Sequence, residues 1–218
     1  MIKIAPSLAS APLINLEKVI QELEQADADI LHFDLEDGSF VPEMRLGIKI
    51  IADLRRLTKL PFDVHLMVNN PEWLIPHLAS IGVNKVSVHY EACPYPRRTI
   101  GIIAQAGMSA GLAFNPKTEV PDLAQYSPFL SFVLILTTEP ELGECPFLPS
   151  VLQKVRAGKK QFGCSSLQWV VDGGINLKNI AEVIDAGADI VVSGRGIFGE
   201  KSVDVIQKMK RAGINKSH

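Results

Sequence analysis

The sequence predicts an α/β fold, a single (β/α)8 TIM barrel spanning residues 1–218. Three observations lead there. Eight short, β-prone runs alternate with amphipathic stretches from one end of the chain to the other. A helix-to-strand junction recurs as Ala26-Asp27-Ala28-Asp29-Ile30, Ile81-Gly82-Val83-Asn84-Lys85, Ala106-Gly107-Met108-Ser109 and Ala186-Gly187-Ala188-Asp189-Ile190. No Gly-x-Gly-x-x-Gly follows the first strand, which argues against the open, doubly wound alternative.

The strands expected in order are Ile2–Ser7, Ile30–Asp34, Phe62–Met67, Lys85–His89, Ser109–Phe114, Phe129–Leu136, Leu167–Asp172 and Ile190–Ser193. Between them lie helical faces. Leu16, Val19, Ile20 and Leu23 form one, and Ile180, Val183 and Ile184 another. In the recurring junctions Gly suits the left-handed residue just past a helix end, and the polar residue after it turns the chain into the next strand. Eight such units close naturally into a barrel. The longest irregular stretch, Thr137–Pro149, reads as an active-site loop.

Composition is that of an ordinary globular chain, with 47% hydrophobic and 21% charged residues and a formal net charge of −2. That balance calls for neither nucleic acid nor an anionic membrane surface. No run approaches the roughly 18 apolar residues of a membrane span. Met1 to Ser7 lack a signal-peptide apolar core. Cys93, Cys145 and Cys164 form no Cys-x-x-Cys pair and read as thiols of a reducing compartment, so a cytoplasmic location is expected.

The chemistry sits at strand ends. His32 and Asp34 are two apart on one strand and so share a face. His65 and Asp172 end two other strands. A titratable group buried in a strand is costly unless it meets a metal, a substrate or another such group. The carboxyl ends of barrel strands converge on one site. His32, Asp34, His65 and Asp172 together make a two-histidine, two-carboxylate set suited to one borderline divalent ion: Zn, Fe, Mn or Co. Singly, each has a bland reading as a core histidine or a helix cap; four at strand ends do not. Carboxylates on separate strands also suit paired acid/base work at a carbon next to a carbonyl. Gly173-Gly174 after strand seven and Gly194-Arg195 after strand eight lie where barrels commonly hold phosphate. Arg195 adds a bidentate donor. His77, His89 and His218 attract no functional assignment.

On these residues the chain resembles the ribulose-phosphate 3-epimerases over nearly its whole length. The resemblance is carried by Ala5-Pro6-Ser7-Leu8-Ala9-Ser10, His32-Phe33-Asp34-Leu35-Glu36-Asp37-Gly38-Ser39-Phe40-Val41-Pro42 and Asp63-Val64-His65-Leu66-Met67-Val68. Gly111-Leu112-Ala113-Phe114-Asn115-Pro116, Val171-Asp172-Gly173-Gly174 and the Gly194 loop add to it. It implies a ribulose-phosphate-binding barrel that inverts C3 of a ketose phosphate, with His32, Asp34, His65 and Asp172 as metal ligands. It implies Asp34 and Asp172 as the two acid/base groups, and Ser7, His32, His65 and Met67 beside the substrate. It also implies a homo-oligomer.

The chain departs from that family in two places. The family usually carries Met where Glu36 and Leu136 stand, leaving Met67 as the remaining thioether. Its Gly-rich loop after strand six, typically Pro-Gly-Phe-Gly-Gly-Gln, reads here Pro140-Glu141-Leu142-Gly143-Glu144-Cys145-Pro146, with Gly143 the one glycine kept for phosphate. The expected activity is conversion of D-ribulose 5-phosphate to D-xylulose 5-phosphate. The rivals are the same inversion on another ketose phosphate, such as D-allulose 6-phosphate, and a barrel that binds metabolite without turnover.

Overall fold

A computed structural model describes residues 2–139, 146–162, 166–199 and 201–214. Eight parallel strands form one sheet: β1 (Lys3–Pro6), β2 (Leu31–Glu36), β3 (Phe62–Met67), β4 (Lys85–His89), β5 (Ser109–Phe114), β6 (Leu130–Leu136), β7 (Gln168–Asp172) and β8 (Ile190–Ser193). Each pairs with its sequence neighbour, β1 pairs with β8, and a bridge between Ser7 and His32 joins β1 to β2 and closes the ring. The helices are α1 (Leu16–Gln25), α2 (Ile48–Arg55), α3 (Ile75–Ile81), α4 (Pro96–Gln105), α5 (Leu152–Phe162), α6 (Ile180–Asp185), α7 (Arg195–Phe198) and α8 (Ser202–Ile214). The expected (β/α)8 barrel is the fold observed.

The recurring junction has a physical cause at both of its positions. Asp27, Gly82, Gly107 and Gly187 all adopt left-handed backbone, with φ of 59°, 85°, 82° and 101°. The polar residue that follows does more than turn the chain. Asp29 accepts the backbone N–H of Ile4, Asn84 that of Phe62, and Asp189 that of Trp169, at 2.7–2.9 Å. Each satisfies a strand-start donor that has no ladder partner.

Several strand limits and one connection differ from expectation. β2 runs two residues further, to Glu36, because Glu36 pairs in register with Met67. The connection from β5 to β6 holds no α-helix, only a 3-10 turn at Ala124–Tyr126. Pro116 and Pro121 fall in this short segment, and proline removes the donor a helix interior needs.

Side chains alternate across the sheet. Outward residues such as Phe33, Phe62, Val64, Val133, Trp169 and Val191 form the main core beneath the helices. α5 approaches β7 through Gly158, where a Cβ would overlap the Trp169 ring. The lumen is divided. Ala113, Phe132, Leu134, Leu136, Val170, Ile190 and Val192 fill one side with apolar groups. β2, β3 and β4 contribute the buried polar groups His32, Asp34, Glu36, Asp63, His65, Lys85, Ser87 and His89. Lys85 donates to Gln168 Oε1 at 3.0 Å and lies 4.2 Å over the Phe132 ring, which joins the two halves low in the barrel. No helix among the described residues is long and apolar enough to cross a membrane.

Candidate metal centre and active site

The β2–β3 register sets His32 beside Asp63 and Asp34 beside His65. Asp172 reaches the same point from β7. His32, Asp34, His65 and Asp172 each offer one ligand atom, and these atoms all lie within 4.8 Å of one another. His32 Nε2 is 3.3 Å from Asp34 Oδ1 and 3.7 Å from Asp172 Oδ2; His65 Nδ1 is 3.4 and 3.7 Å from the same two atoms. Both imidazoles are fully buried, and both carboxylates keep a small exposed face toward the mouth. Ser7 Oγ donates to the other oxygen of Asp34 at 2.5 Å and so fixes that carboxyl group.

The outer hydrogen bonds decide which ring nitrogen is bare once each imidazole is neutral. His32 Nδ1 lies 3.1 Å from the buried Asp63 carboxylate, an acceptor, so Nδ1 carries the proton and Nε2 turns a lone pair to the cluster. His89 Nδ1 donates to Glu91 at 3.0 Å, leaving His89 Nε2 as an acceptor for His65 Nε2–H at 2.9 Å. His65 Nδ1 is therefore the bare nitrogen, buried and without a hydrogen bond of its own. Two imidazole lone pairs and two carboxylate oxygens converge on one point. That donor set fits a borderline divalent cation.

Electrostatics agree. Burial disfavours the His32 imidazolium, but Asp34 and Asp63 outweigh it and raise its pKa well above the usual range. His65 is raised too, burial being overcome by Asp172 and Asp34. Burial raises Asp34, yet His32 and His65 pull it well below the usual carboxylate range. The protein charges alone thus favour positive charge at this point, which a divalent ion would supply. Behind them, burial lowers His89 to about 4, so it is neutral near pH 7. Burial works to raise Glu91, but hydrogen bonds from His89, Thr118 and the Asn115 N–H bring it down to about 2.

The loop after β2 closes over this layer. Asp37 accepts the N–H groups of Ser39 and Phe40 at 2.8 and 2.7 Å, and of Asn69 after β3 at 2.8 Å. Gly38 takes the positive φ of 71° that the turn needs. Phe40 then packs against His89, with ring centroids 4.6 Å apart and the planes tilted by 46°.

Above the cluster is a cavity of about 350 Å³. Ser7, Asp34, Met67, Asp172, Gly173, Gly174, Gly194 and Arg195 line it. These residues lie together around one cavity; His32 and His65 lie beneath the aspartates. Gly143, with Glu141 and Glu144, lies outside the described residues. Gly173 and Gly174 adopt φ of 110° and 69°, and Thr137 Oγ1 pins them by donating to the carbonyls of Asp172 and Gly173 at 2.9 and 2.7 Å. Gly194 passes so close to Ser10 that a Cβ would overlap its hydroxyl.

Glu36 points into the cavity rather than away from it. Its buried carboxylate accepts Arg45 N–H at 3.0 Å and Arg45 Nη1 at 3.1 Å. Burial raises its pKa, Arg45 opposes that, and Asp34 adds to it. Sequence reading assigned no role to Asp63, His89, Glu91 or Arg45. For Asp63 the signal was present: Asp63 and His65 repeat the two-residue spacing of His32 and Asp34. Arg45 sits in a loop with no periodicity to place it.

Comparison with known proteins bears on this geometry. Residues 3–198 match the model of the Ribulose-phosphate 3 epimerase family. A ribulose-phosphate 3-epimerase of Bacillus subtilis is 40% identical over 203 residues, covering 92% of this chain and 94% of that protein. Ribulose-phosphate 3-epimerase 1 of Cupriavidus necator is 37% identical over 209 residues, covering 93% of this chain and 87% of that protein. Among solved structures, the N-(5'-phosphoribosyl)anthranilate isomerase of Pyrococcus furiosus superposes with a TM-score of 0.66 at 16% identity, covering 99% of this chain and all of that one. That likeness is one of fold. Together with the four-ligand cluster under a glycine-lined mouth, the sequence matches establish that this chain belongs to the ribulose-phosphate 3-epimerase family of isomerases.

Proposed function

We propose that the protein inverts C3 of a phosphorylated ketose, converting D-ribulose 5-phosphate to D-xylulose 5-phosphate. One observation carries the reading: carboxylates from β2 and β7 share a cluster with two bare imidazole nitrogens at the floor of one cavity. His32, Asp34, His65 and Asp172 would hold the divalent ion. When bound, it supplies Lewis acidity toward the ketone oxygen and offsets the charge that develops there. Asp34 and Asp172 carry the protons, one removing the C3 proton and the other delivering a proton to the opposite face. Ser7 holds Asp34 in orientation. The N–H groups of the Gly173–Gly174 and Gly194–Arg195 turns, with the Arg195 side chain, take the phosphate. The family resemblance extends the reading to a homo-oligomer.

Metal-loaded protein incubated with D-ribulose 5-phosphate in D2O should exchange deuterium into C3 and form D-xylulose 5-phosphate, followed by NMR. Asp172→Asn should lower turnover by about 10²- to 10⁴-fold with an unchanged circular dichroism spectrum. Near-normal rates in that variant would refute the two-base assignment. Comparing kcat/KM over a panel that includes D-allulose 6-phosphate identifies the preferred ketose. Binding without turnover across the panel would make the protein a metabolite-binding barrel instead.

A further inference from the structure

The wall of the cavity built from β2 and β3 carries a charged cluster that the proton-transfer scheme does not use. Glu36, the last residue of β2, has a side chain only 2% exposed, and both its oxygens are spent on Arg45. The Arg45 guanidinium is also paired with Glu43 through Nη2. Buried charge is costly, and two carboxylates on one guanidinium are more than neutralisation requires. Their effect is positional. One holds Nη1 and the backbone N–H, the other holds Nη2. Arg45 remains 44% exposed and lines the cavity with Glu36, Glu43, Val41 and Met67. A guanidinium has five N–H donors in a rigid fork, so donors remain for a ligand.

Strand order says which part of a substrate meets this fork. β3 lies across the barrel from β7, and β2 beside it. A ketose phosphate whose phosphate sits over the β7 and β8 turns, with C3 between Asp34 and Asp172, directs C2 and C1 toward β2 and β3. Met67 offers that end no hydrogen bond; Arg45 does.

We propose that Arg45, clamped by Glu36 and Glu43, donates a hydrogen bond to the C1 oxygen of the ketose, so that the protein selects ketose phosphates with a free C1 hydroxyl over their 1-deoxy counterparts. The proposal rests on the epimerase reading given above. Arg45 is a substrate-contacting specificity residue, and Glu36 and Glu43 are its positioning residues.

The test measures kcat/KM for C3 epimerisation of D-xylulose 5-phosphate and of 1-deoxy-D-xylulose 5-phosphate, in wild type, Arg45→Met and Arg45→Lys. Circular dichroism and metal content are recorded for each. Wild type should prefer the 1-hydroxy substrate by about 10- to 100-fold, the range of a hydrogen bond to a charged group. Arg45→Met should lower kcat/KM more on the 1-hydroxy substrate than on the 1-deoxy one, and so lose most of the preference. Arg45→Lys, which keeps the charge without the fork, should fall between. A preference unchanged in Arg45→Met, or an equal loss on both substrates, overturns the proposal and leaves the epimerase reading standing. Turnover of neither substrate by metal-loaded wild type overturns both.

Discussion

Asp63 is the sharpest place to test how the centre is built. It does not line the cavity, is fully buried, and meets His32 Nδ1 at 3.1 Å. Asp63→Asn keeps the shape and keeps an oxygen that accepts the Nδ1 proton, so it removes charge and little else. A hydrogen bond to a charged group is worth about 1.5–3 kcal/mol against about 0.5–1.5 for a neutral one, so the expected loss is about 1–2 kcal/mol. Because the bond orients a proposed ligand and raises its basicity, the loss should appear in metal affinity, as a weakening of about 5- to 30-fold. Competition against a chromophoric chelator with Co²⁺ or Zn²⁺ reads it directly, and far-ultraviolet circular dichroism checks the fold. The variant also removes a charge near Lys85, so some loss of thermal stability is expected; the affinity is compared at a temperature where both proteins are folded. An affinity equal to wild type would refute the argument that Asp63 sets the tautomer and basicity of His32.

His32 and His65 have raised pKa values, so a proton competes with metal even above pH 6.5. Their ion-pair stabilisation of the metal-free protein is fully present below that value and is lost as pH rises through the folded pKa. The rise in melting temperature on adding metal should therefore grow from pH 6 to pH 8, and a shift independent of pH would contradict it. Gly158→Ala drives a methyl into the fully buried Trp169 ring across a helix–strand contact. Overpacking of about 1–3 kcal/mol should outweigh the roughly 1 kcal/mol that Ala gains over Gly in a helix. A urea midpoint at or above that of wild type would show that α5 can move away.

Much of the protein is determined by local chemistry. A period-two alternation puts His32, Asp34 and Glu36 on one face of β2 and Asp63, His65 and Met67 on one face of β3, whatever surrounds them. The repeated glycine and Asx junction dictates where helices stop and strands begin, because left-handed backbone and unpaired strand-start donors are local problems. Two prolines bar an α-helix from the β5–β6 connection, although the alternating pattern suggested one. What only the tertiary structure decided is partnership between distant strands. Asp172 meets His32 and His65 because the ring closes, and ring closure is a property of all eight strands at once. The line from His65 through His89 to Glu91, and the seating of Arg45 between Glu36 and Glu43, depend on register and loop path. Such contacts join residues with no periodic relation along the chain, and their energies arise only once water has been excluded from the space between them.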